Sequence, residues 1–353
     1  MGVYRYPENP ILTPADVPPH RDDFEVIGVF NAGVAKYHDE IILLLRVAER
    51  PVAEDERIVK AAIFDVSAKG LRIETFHRND QRYDFSDPRS IAPVERRKGD
   101  FTYLTSISHL RIARSVDGRH FRVDERPFLY PQTELETFGV EDARVTQIGD
   151  TYYITYSAVS ARGVGVVLAS TKNFHDVQRH GMILPPENKD VVLFPEPIGG
   201  KYYCLHRPVP SGNGSPDIWL AESSDLNHWG NHHHLMGCRP EAWDSRRLGA
   251  GAPPLRTEHG WLELYHAADE DARYCVGAVL LDLEDPSQVL VRSRHPILVP
   301  EADYETNGFF GNVVFPCGAL LQGDTVQVYY GVADTSMACV EIPLQTILDS
   351  LGS

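Results

Sequence analysis

Basic residues are in short supply. Thirty-four Lys and Arg face 50 Asp and Glu across the 353 residues, leaving a formal charge of -16. Such a surface repels phosphate backbones and anionic bilayers, which argues against nucleic acid or a membrane as partner. Cysteine is sparse as well. The five thiols (Cys204, Cys238, Cys275, Cys317, Cys339) are odd in number, far apart and never spaced CxxC. Buried free thiols are therefore expected rather than a disulfide framework or a zinc site, and they favour a reducing compartment, the cytoplasm. Long apolar runs are missing too: the densest, "EIILLLRVA", is far shorter than the roughly 20 residues that span a bilayer, and "MGVYRYPENPILTP" holds no apolar signal core. Gly2 invites N-myristoylation, but Tyr6 stands where that motif needs Ser or Thr.

Amphipathic helical periodicity is nearly absent apart from the C-terminal "LQTILDSL". What the chain has instead is strands. Five segments are rich in alternating or continuous apolar and aromatic residues: 40–48, 151–159, 201–209, 260–268 and 325–333. Each is followed by a second such segment, and the phrases "RIARSVDG", "VLASTKNF" and "WLAESSDL" recur at separations of about 50 to 60 residues, the length of a four-stranded propeller blade. The expectation is an all-β, five-bladed propeller forming one domain over residues 1–353, because a propeller buries its sheet faces only when its ring is complete. Residues 49–100, with the polar "RNDQRYDFSDPRS", are expected to be an insertion in the first blade.

Charged and polar residues stand beside these strands at corresponding places. They are Asn31 and Arg46; Glu141, Asp142 and Arg144; Lys189, Asp190, Glu196, His206 and Arg207; Arg246, Arg247, Tyr265 and His266; and Asn312 and Asp334. Innermost strands line the central channel of a propeller, so one site would gather residues from every blade. Inter-blade ion pairs and turn caps are the bland alternative for any one of them. For the set, a functional site is the expectation.

The motifs "GVEDARVT", "NKDVVLFPE", "HRP", "GAGAPP", "GWLELYH" and "YYGVADT", in this order, resemble glycoside hydrolase family 130, five-bladed propellers that include inverting mannoside phosphorylases. The likeness runs from "ENPIL" to "VADT", and the long first-blade insertion with "FEVIGVFNAG" is most similar to the branch acting on β-1,2-linked mannobiose and mannooligosaccharides. The resemblance implies that Asp142 is the sole catalytic acid, its proton passing through a hydroxyl of the bound mannose. A partly desolvated carboxyl beside a sugar would keep a raised pKa. The family's phosphate residues map onto Lys189, Arg207 and Arg247, with Tyr265 or His266 alongside; a shift of one residue would put Arg246 in place of Arg247. Asn31, Arg46 and Asp334 match positions that contact the mannosyl unit. Arg144 and His206 are further sugar-side candidates, and Arg144 has the plainer alternative of pairing with Glu141 or Asp142. The sequence has "YHA" and "EDAR" where the family usually has "YHG" and "EDPR".

Inverting hydrolysis needs a second carboxylate to activate water, whereas phosphorolysis needs only the acid and a basic pocket opposite it. All three phosphate positions are basic here, so the expected activity is phosphorolysis of a β-mannoside, giving α-D-mannose 1-phosphate. Inorganic phosphate would be co-substrate and no metal or organic cofactor is implied. A homo-oligomer is compatible with the sequence. The same-fold rival is a β-1,2-mannosidase with Glu187 or Glu196 as base; a non-catalytic carbohydrate-binding propeller is the rival from another class. Two further motifs are set aside. The run His232–His234 alternates direction on an extended chain and cannot easily converge on one ion, so a loop is expected. "GNGSPD" lacks the Walker lysine and its helix, so a turn is expected.

Overall fold

The computed structural model describes residues 2–95, 102–210 and 212–352; the last five residues of the expected insertion, 96–100, lie outside them. The fold is all-β. In chain order the first strands are β1 (Tyr4–Arg5), β2 (Phe24–Tyr37), β3 (Glu40–Pro51), β4 (Ile58–Asp65), β5 (Gly70–His77), β6 (Tyr83–Asp84), β7 (Ser90–Pro93), β8 (Tyr103–Leu104), β9 (Ile107–Ser115) and β10 (Arg122–Val123). Of these, β2, β3, β9 and β10 pair side by side, while β1 pairs elsewhere. The strands β4 to β8 form a separate hairpin and a small three-stranded sheet, as an insertion between β3 and β9 would.

Three further antiparallel runs follow in chain order. They are β11 (Gly139–Ile148), β12 (Thr151–Ser160), β13 (Gly163–Thr171) and β14 (Gln178–Leu184); β15 (Asn188–Leu193), β16 (Tyr202–Pro208), β17 (Ile218–Ser223) and β18 (Gly230–Met236); and β19 (Arg247–Ala250), β20 (Leu255–Thr257), β21 (Gly260–Ala268), β22 (Tyr274–Leu281) and β23 (Val289–Arg292). After a short helix α1 (Asp303–Thr306), the last sheet is β24 (Val314–Gln322), β25 (Thr325–Val332) and β26 (Ser336–Pro343), and α2 (Leu344–Leu351) ends the chain. The N-terminal β1 lies against β26, so both ends of the chain meet in one sheet. A single parallel pair, Gly139 against Ser108, links the first two runs. Gly139 has φ +120°, and a Cβ there would stand 2.6 Å from the Ser108 amide nitrogen, so glycine permits the approach.

Side-chain alternation explains the composition of the strands. In β3, Ile42 and Leu44 pack with Ile154 and Tyr156 of β12, whereas Leu43 and Leu45 pack with Tyr329 and Cys339 of β25 and β26. Both faces of β3 are buried, which is why "IILLL" is continuous rather than alternating. Similar apolar clusters fill the spaces between the β11–β14 and β15–β18 runs, between β15–β18 and β19–β22, and between β21–β22 and β24–β26. All five cysteines are free thiols and four are buried. No helix among the described residues is long and apolar enough to cross a membrane.

The segment ahead of β2 is held by charge. Glu49, fully buried on β3, accepts the backbone N–H of His20 at 2.9 Å, touches the His20 ring, and meets His109 Nε2 at 3.1 Å and Arg111 Nη2 at 3.4 Å. Although three of these groups are of metal-ligating type, the Arg111 guanidinium already shares the carboxylate oxygen, and the cluster works as an anion clamp. Burial raises the Glu49 carboxyl, but the bonds from His109 and His20 outweigh it and hold the group down to about 2. A depressed pKa stabilises the fold above the unfolded carboxyl's range and ceases to do so as pH falls toward 2, a contribution of about 3 kcal/mol. Glu49→Gln is expected to lower the melting temperature at pH 6 by several degrees and to flatten its decline between pH 5 and pH 3; calorimetry over that range checks both.

Candidate active site

Asn31, Asp142, Lys189 and Asp190 lie inside the first strands of successive runs, at bulges. Pairing slips between Phe30 and Gly33 on β2, between Glu141 and Arg144 on β11, and between Lys189 and Val192 on β15. At each slip one residue takes a left-handed conformation: Asn31 (φ 49°), Asp142 (φ 50°) and Asp190 (φ 54°). Asn and Asp tolerate that region better than other side-chain-bearing residues, and the extra residue of a bulge re-aims its side chain out of the ladder. Asp334 (φ 51°), just past β25, has the same conformation.

These side chains converge on a cavity of about 520 Å³. Its wall includes Asn31, Arg46, Asp142, Lys189, Arg207 and Asp334, and both Arg246 and Arg247 reach it. Arg46 forks between two carboxylates, donating from Nη2 to Glu141 at 2.7 Å and from Nη1 to Asp142 at 3.0 Å, while Asn31 Nδ2 donates to the same Asp142 oxygen at 3.0 Å. Burial pushes the Asp142 carboxyl up, but Arg46, Arg144, Lys189 and the Asn31 bond together hold it below the usual range. The expectation of a raised pKa is thus corrected: the cations around Asp142 outweigh its burial. It is Asp334 that burial raises, to about 6, against the pull of Arg46.

The cavity wall also holds Asp190, a buried carboxylate. Asp190 receives Arg144 Nη2 at 3.1 Å, Arg207 Nη2 at 2.7 Å and His266 Nε2 at 3.3 Å, and these cations and the imidazole hold it well below its usual pKa despite full burial. Arg144 also donates to the carbonyls of Asp142, Ala250 and Gly251 and is itself buried. Its candidate role in holding sugar is therefore corrected: it spans from β11 to β15 and β19 and does not line the cavity. His266 stands one layer back against Asp190 and Phe315, and its room comes from Gly249, where a Cβ would be 2.3 Å from His266 Nε2.

Two other expected ligands face away. The Tyr265 hydroxyl donates to Asp244 at 3.2 Å and accepts from Arg292 Nε at 3.1 Å, with its ring stacked on Trp243; as neighbours on β21, Tyr265 and His266 point to opposite faces. His206 contacts Asn188 through Nδ1 and His232 through Nε2, and burial followed by the nearby His232 lowers its pKa to about 3. The three-histidine run forms part of strand β18, not a loop, and its members diverge: His232 meets His206 while His234 meets Asp217 at 2.9 Å. Glu187 accepts the Val164 amide at 3.2 Å and Glu196 pairs with Arg256 at 3.1 Å; neither lines the cavity.

Sequence reasoning missed the outer wall. Asp87, Arg89 and Ser90 of the β6–β7 segment, Tyr274 of β22, and Phe309 and Phe310 ahead of β24 all line the cavity. Arg89 lies over the Phe310 ring at 5.0 Å, and Tyr274 Oη accepts Arg247 Nη1 at 3.2 Å. Only the Arg-rich polarity of the inserted segment signalled any of this. Among the described residues, Lys189, Arg246 and Arg247 have no carboxylate within ion-pair distance. The cavity thus carries a surplus of cations on the side of β15 and β19.

Residues 100–352 match the family model described as beta-1,4-mannooligosaccharide phosphorylase. The chain belongs to glycoside hydrolase family 130. It is 56% identical over 351 residues to a beta-1,2-mannobiose phosphorylase of Listeria innocua, covering 99% of each chain. It is 40% identical over 317 residues to a 1,2-beta-oligomannan phosphorylase of Thermoanaerobacter sp., covering 87% of this chain and 99% of that one. The structure superposes with a TM-score of 0.96 on the Listeria innocua beta-1,2-mannobiose phosphorylase solved with beta-1,2-mannobiose, covering 100% of this chain and 99% of that one.

The buried Arg144–Asp190 bridge is expected to carry stability. Arg144→Ala leaves Asp190 with one partner fewer in a dry site, a change that costs roughly 3–5 kcal/mol. Chemical denaturation should show that loss, and a midpoint within error of wild type would remove Arg144 from this role.

Proposed function

We propose that this chain is an inverting β-1,2-mannobiose phosphorylase that transfers the non-reducing mannosyl unit to inorganic phosphate, giving α-D-mannose 1-phosphate and mannose. The observation that carries the reading is the surplus of unpaired cations, Lys189, Arg246 and Arg247, beside Arg207 in a cavity that also holds Asp142. Lys189 and Arg247 are half-buried without a carboxylate partner while Arg246 is exposed; half-buried cations without counter-ions call for an anion, and a phosphate dianion supplies both charge and nucleophile. The whole-chain similarity to a β-1,2-mannobiose phosphorylase supports the same reading. The mannosidase alternative lacks support from the geometry of its base: the two carboxylates considered for it, Glu187 and Glu196, do not line the cavity.

On this reading the fold is a five-bladed propeller acting as one catalytic unit. Four-stranded antiparallel runs packed in cyclic order through five apolar clusters, the last joining β25–β26 to β2–β3, support it. No metal or organic cofactor is needed. Asn31, Arg46 and Asp334 hold the mannosyl unit, and Lys189, Arg207 and one or both of Arg246 and Arg247 hold phosphate. A hydrogenphosphate oxygen attacks C1, the glycosidic bond breaks toward the leaving sugar's oxygen, and Asp142 protonates that oxygen through a mannose hydroxyl. The proton of hydrogenphosphate is then available to restore Asp142. The cations around Asp142 hold its carboxyl below the usual range. Dianion binding neutralises the cations that keep it so and raises its pKa, which couples phosphate binding to arming of the acid.

Incubation with β-1,2-mannobiose should give mannose 1-phosphate only when phosphate is present; release of two free mannoses without phosphate would assign the enzyme to the hydrolases. Asp142→Asn is expected to lower kcat by about 10²–10⁴-fold while the protein stays folded. Lys189→Gln removes a cation that on this reading holds phosphate, so KM for phosphate should rise, and it removes a charge that depresses the Asp142 pKa. Because the acid must be protonated to act, the alkaline limb of kcat should move to higher pH.

A further inference from the structure

One buried carboxyl has no part in the chemistry described above. Glu263 stands in the middle of β21, a strand whose nine residues are all buried, and is itself closed to solvent. Trp261 and Tyr265, its neighbours along the same strand face, belong to the apolar cluster between β15–β18 and β19–β22, where a strand ordinarily carries Leu or Ile. Burial pushes the Glu263 carboxyl well above its usual range, against the pull of the Gly251 N–H and of Arg144, so it is carried as the neutral acid. Burying such a group is costly unless its polar atoms are employed. One of them is: Oε1 accepts the Gly251 N–H at 2.9 Å, while Oε2 has no partner among the described residues.

The significance of that bond lies in the peptide it holds. The Gly251 N–H and the Ala250 carbonyl belong to one planar trans unit and point in opposite directions. With its N–H fixed by Glu263, the unit turns its oxygen to Arg144, which donates from Nη2 to the Ala250 carbonyl at 3.1 Å and from Nε to the Gly251 carbonyl at 3.2 Å. A Cβ on Gly251 would stand 2.2 Å from the Leu264 carbonyl oxygen, so glycine lets this stretch press against β21 within reach of Glu263. The same guanidinium donates from Nη1 to the Asp142 carbonyl at 2.9 Å and from Nη2 to Asp190 at 3.1 Å. Asp142 sits in a left-handed conformation at the β11 bulge, so the aim of its side chain depends on how its own peptide is held.

We propose that Glu263 is a positioning residue for the catalytic acid: it fixes the peptide between Ala250 and Gly251, that peptide fixes Arg144, and Arg144 fixes the bulge that aims Asp142 into the cavity. The inference rests on the phosphorylase reading above, in which Asp142 is the acid.

Its test replaces Glu263 by Gln, which keeps an acceptor for the Gly251 N–H and sets an amide NH2 where the neutral acid has its O–H, and by Leu or Met, which fill the space without an acceptor. Turnover of β-1,2-mannobiose is followed across the pH profile as mannose 1-phosphate and free mannose, with and without phosphate. Glu263→Leu and Glu263→Met are expected to lower kcat about 10- to 100-fold, the cost of slightly misplacing a reacting group, with KM for sugar and for phosphate within about twofold of wild type. Their alkaline limb of kcat should move to higher pH, because a displaced Arg144 pulls less on the Asp142 carboxyl. Glu263→Gln is expected to return kcat to within about threefold of wild type and the limb to its place. Wild-type kcat and pH profile in the apolar variants, a change in KM alone, or a loss in Glu263→Gln as deep as in Glu263→Leu would each overturn the assignment. So would circular dichroism showing both apolar variants unfolded while Glu263→Gln folds, the mark of a purely structural role. Two free mannoses released without phosphate would overturn the phosphorylase reading instead, and the kcat ratios among the variants would still decide the role of Glu263.

Discussion

Asp190 is the residue on which the arrangement depends. It is a carboxylate with almost no access to water, and its partners Arg144, Arg207 and His266 come from three different runs of strands. A buried ion cluster of this kind adds little net stability over an apolar core of the same shape, because desolvation consumes most of the attraction. What it adds is relative position. Each run could otherwise slide on its apolar neighbours, since side-chain packing alone tolerates small shifts; three fixed charges at one carboxylate do not.

The same carboxylate shapes the chemistry in front of it. Arg207 is turned toward Asp190, while Lys189, next in the chain to Asp190, has no acidic partner. On the other side, Arg46 is claimed twice, by Glu141 and by Asp142. The cavity is therefore not uniformly charged. One side holds a cation saturated by carboxylates and the other, among the described residues, holds cations with no carboxylate within ion-pair distance. In a chain with a net charge of -16, that side of the cavity is a local positive field within an acidic molecule.

Much of the fold was legible because its strands follow simple rules. The segments 151–159, 260–268 and 325–333 coincide with β12, β21 and β25 almost to the residue, and α2 falls on "LQTILDSL". The innermost strands were harder to read, since their bulges bring polar residues into stretches that otherwise look apolar, and a bulge leaves no periodic mark. The converging residues Asn31, Arg46, Asp142, Lys189, Arg207, Arg247 and Asp334 were picked out by their place beside repeated strands and by family likeness. Depth within a strand was not readable. Alternation along β21 decides that His266 turns toward Asp190 and Tyr265 away, but from sequence either phase was open. Asp87, Arg89 and Phe310 carry no motif, and their convergence is set by how an insertion folds back over the cavity.

The pairing of Tyr4–Arg5 with β26 has a consequence for how the molecule comes into being. β1 lies far ahead of β26 in the sequence, so it stays unpaired until β26 has been synthesised. Contacts of such long sequence separation slow folding, and the exposed edge of β26 stays open until they form. The seam between β1 and β26 closes only after both have been made, and a chain cut short before β26 has strands in abundance but no partner for β1.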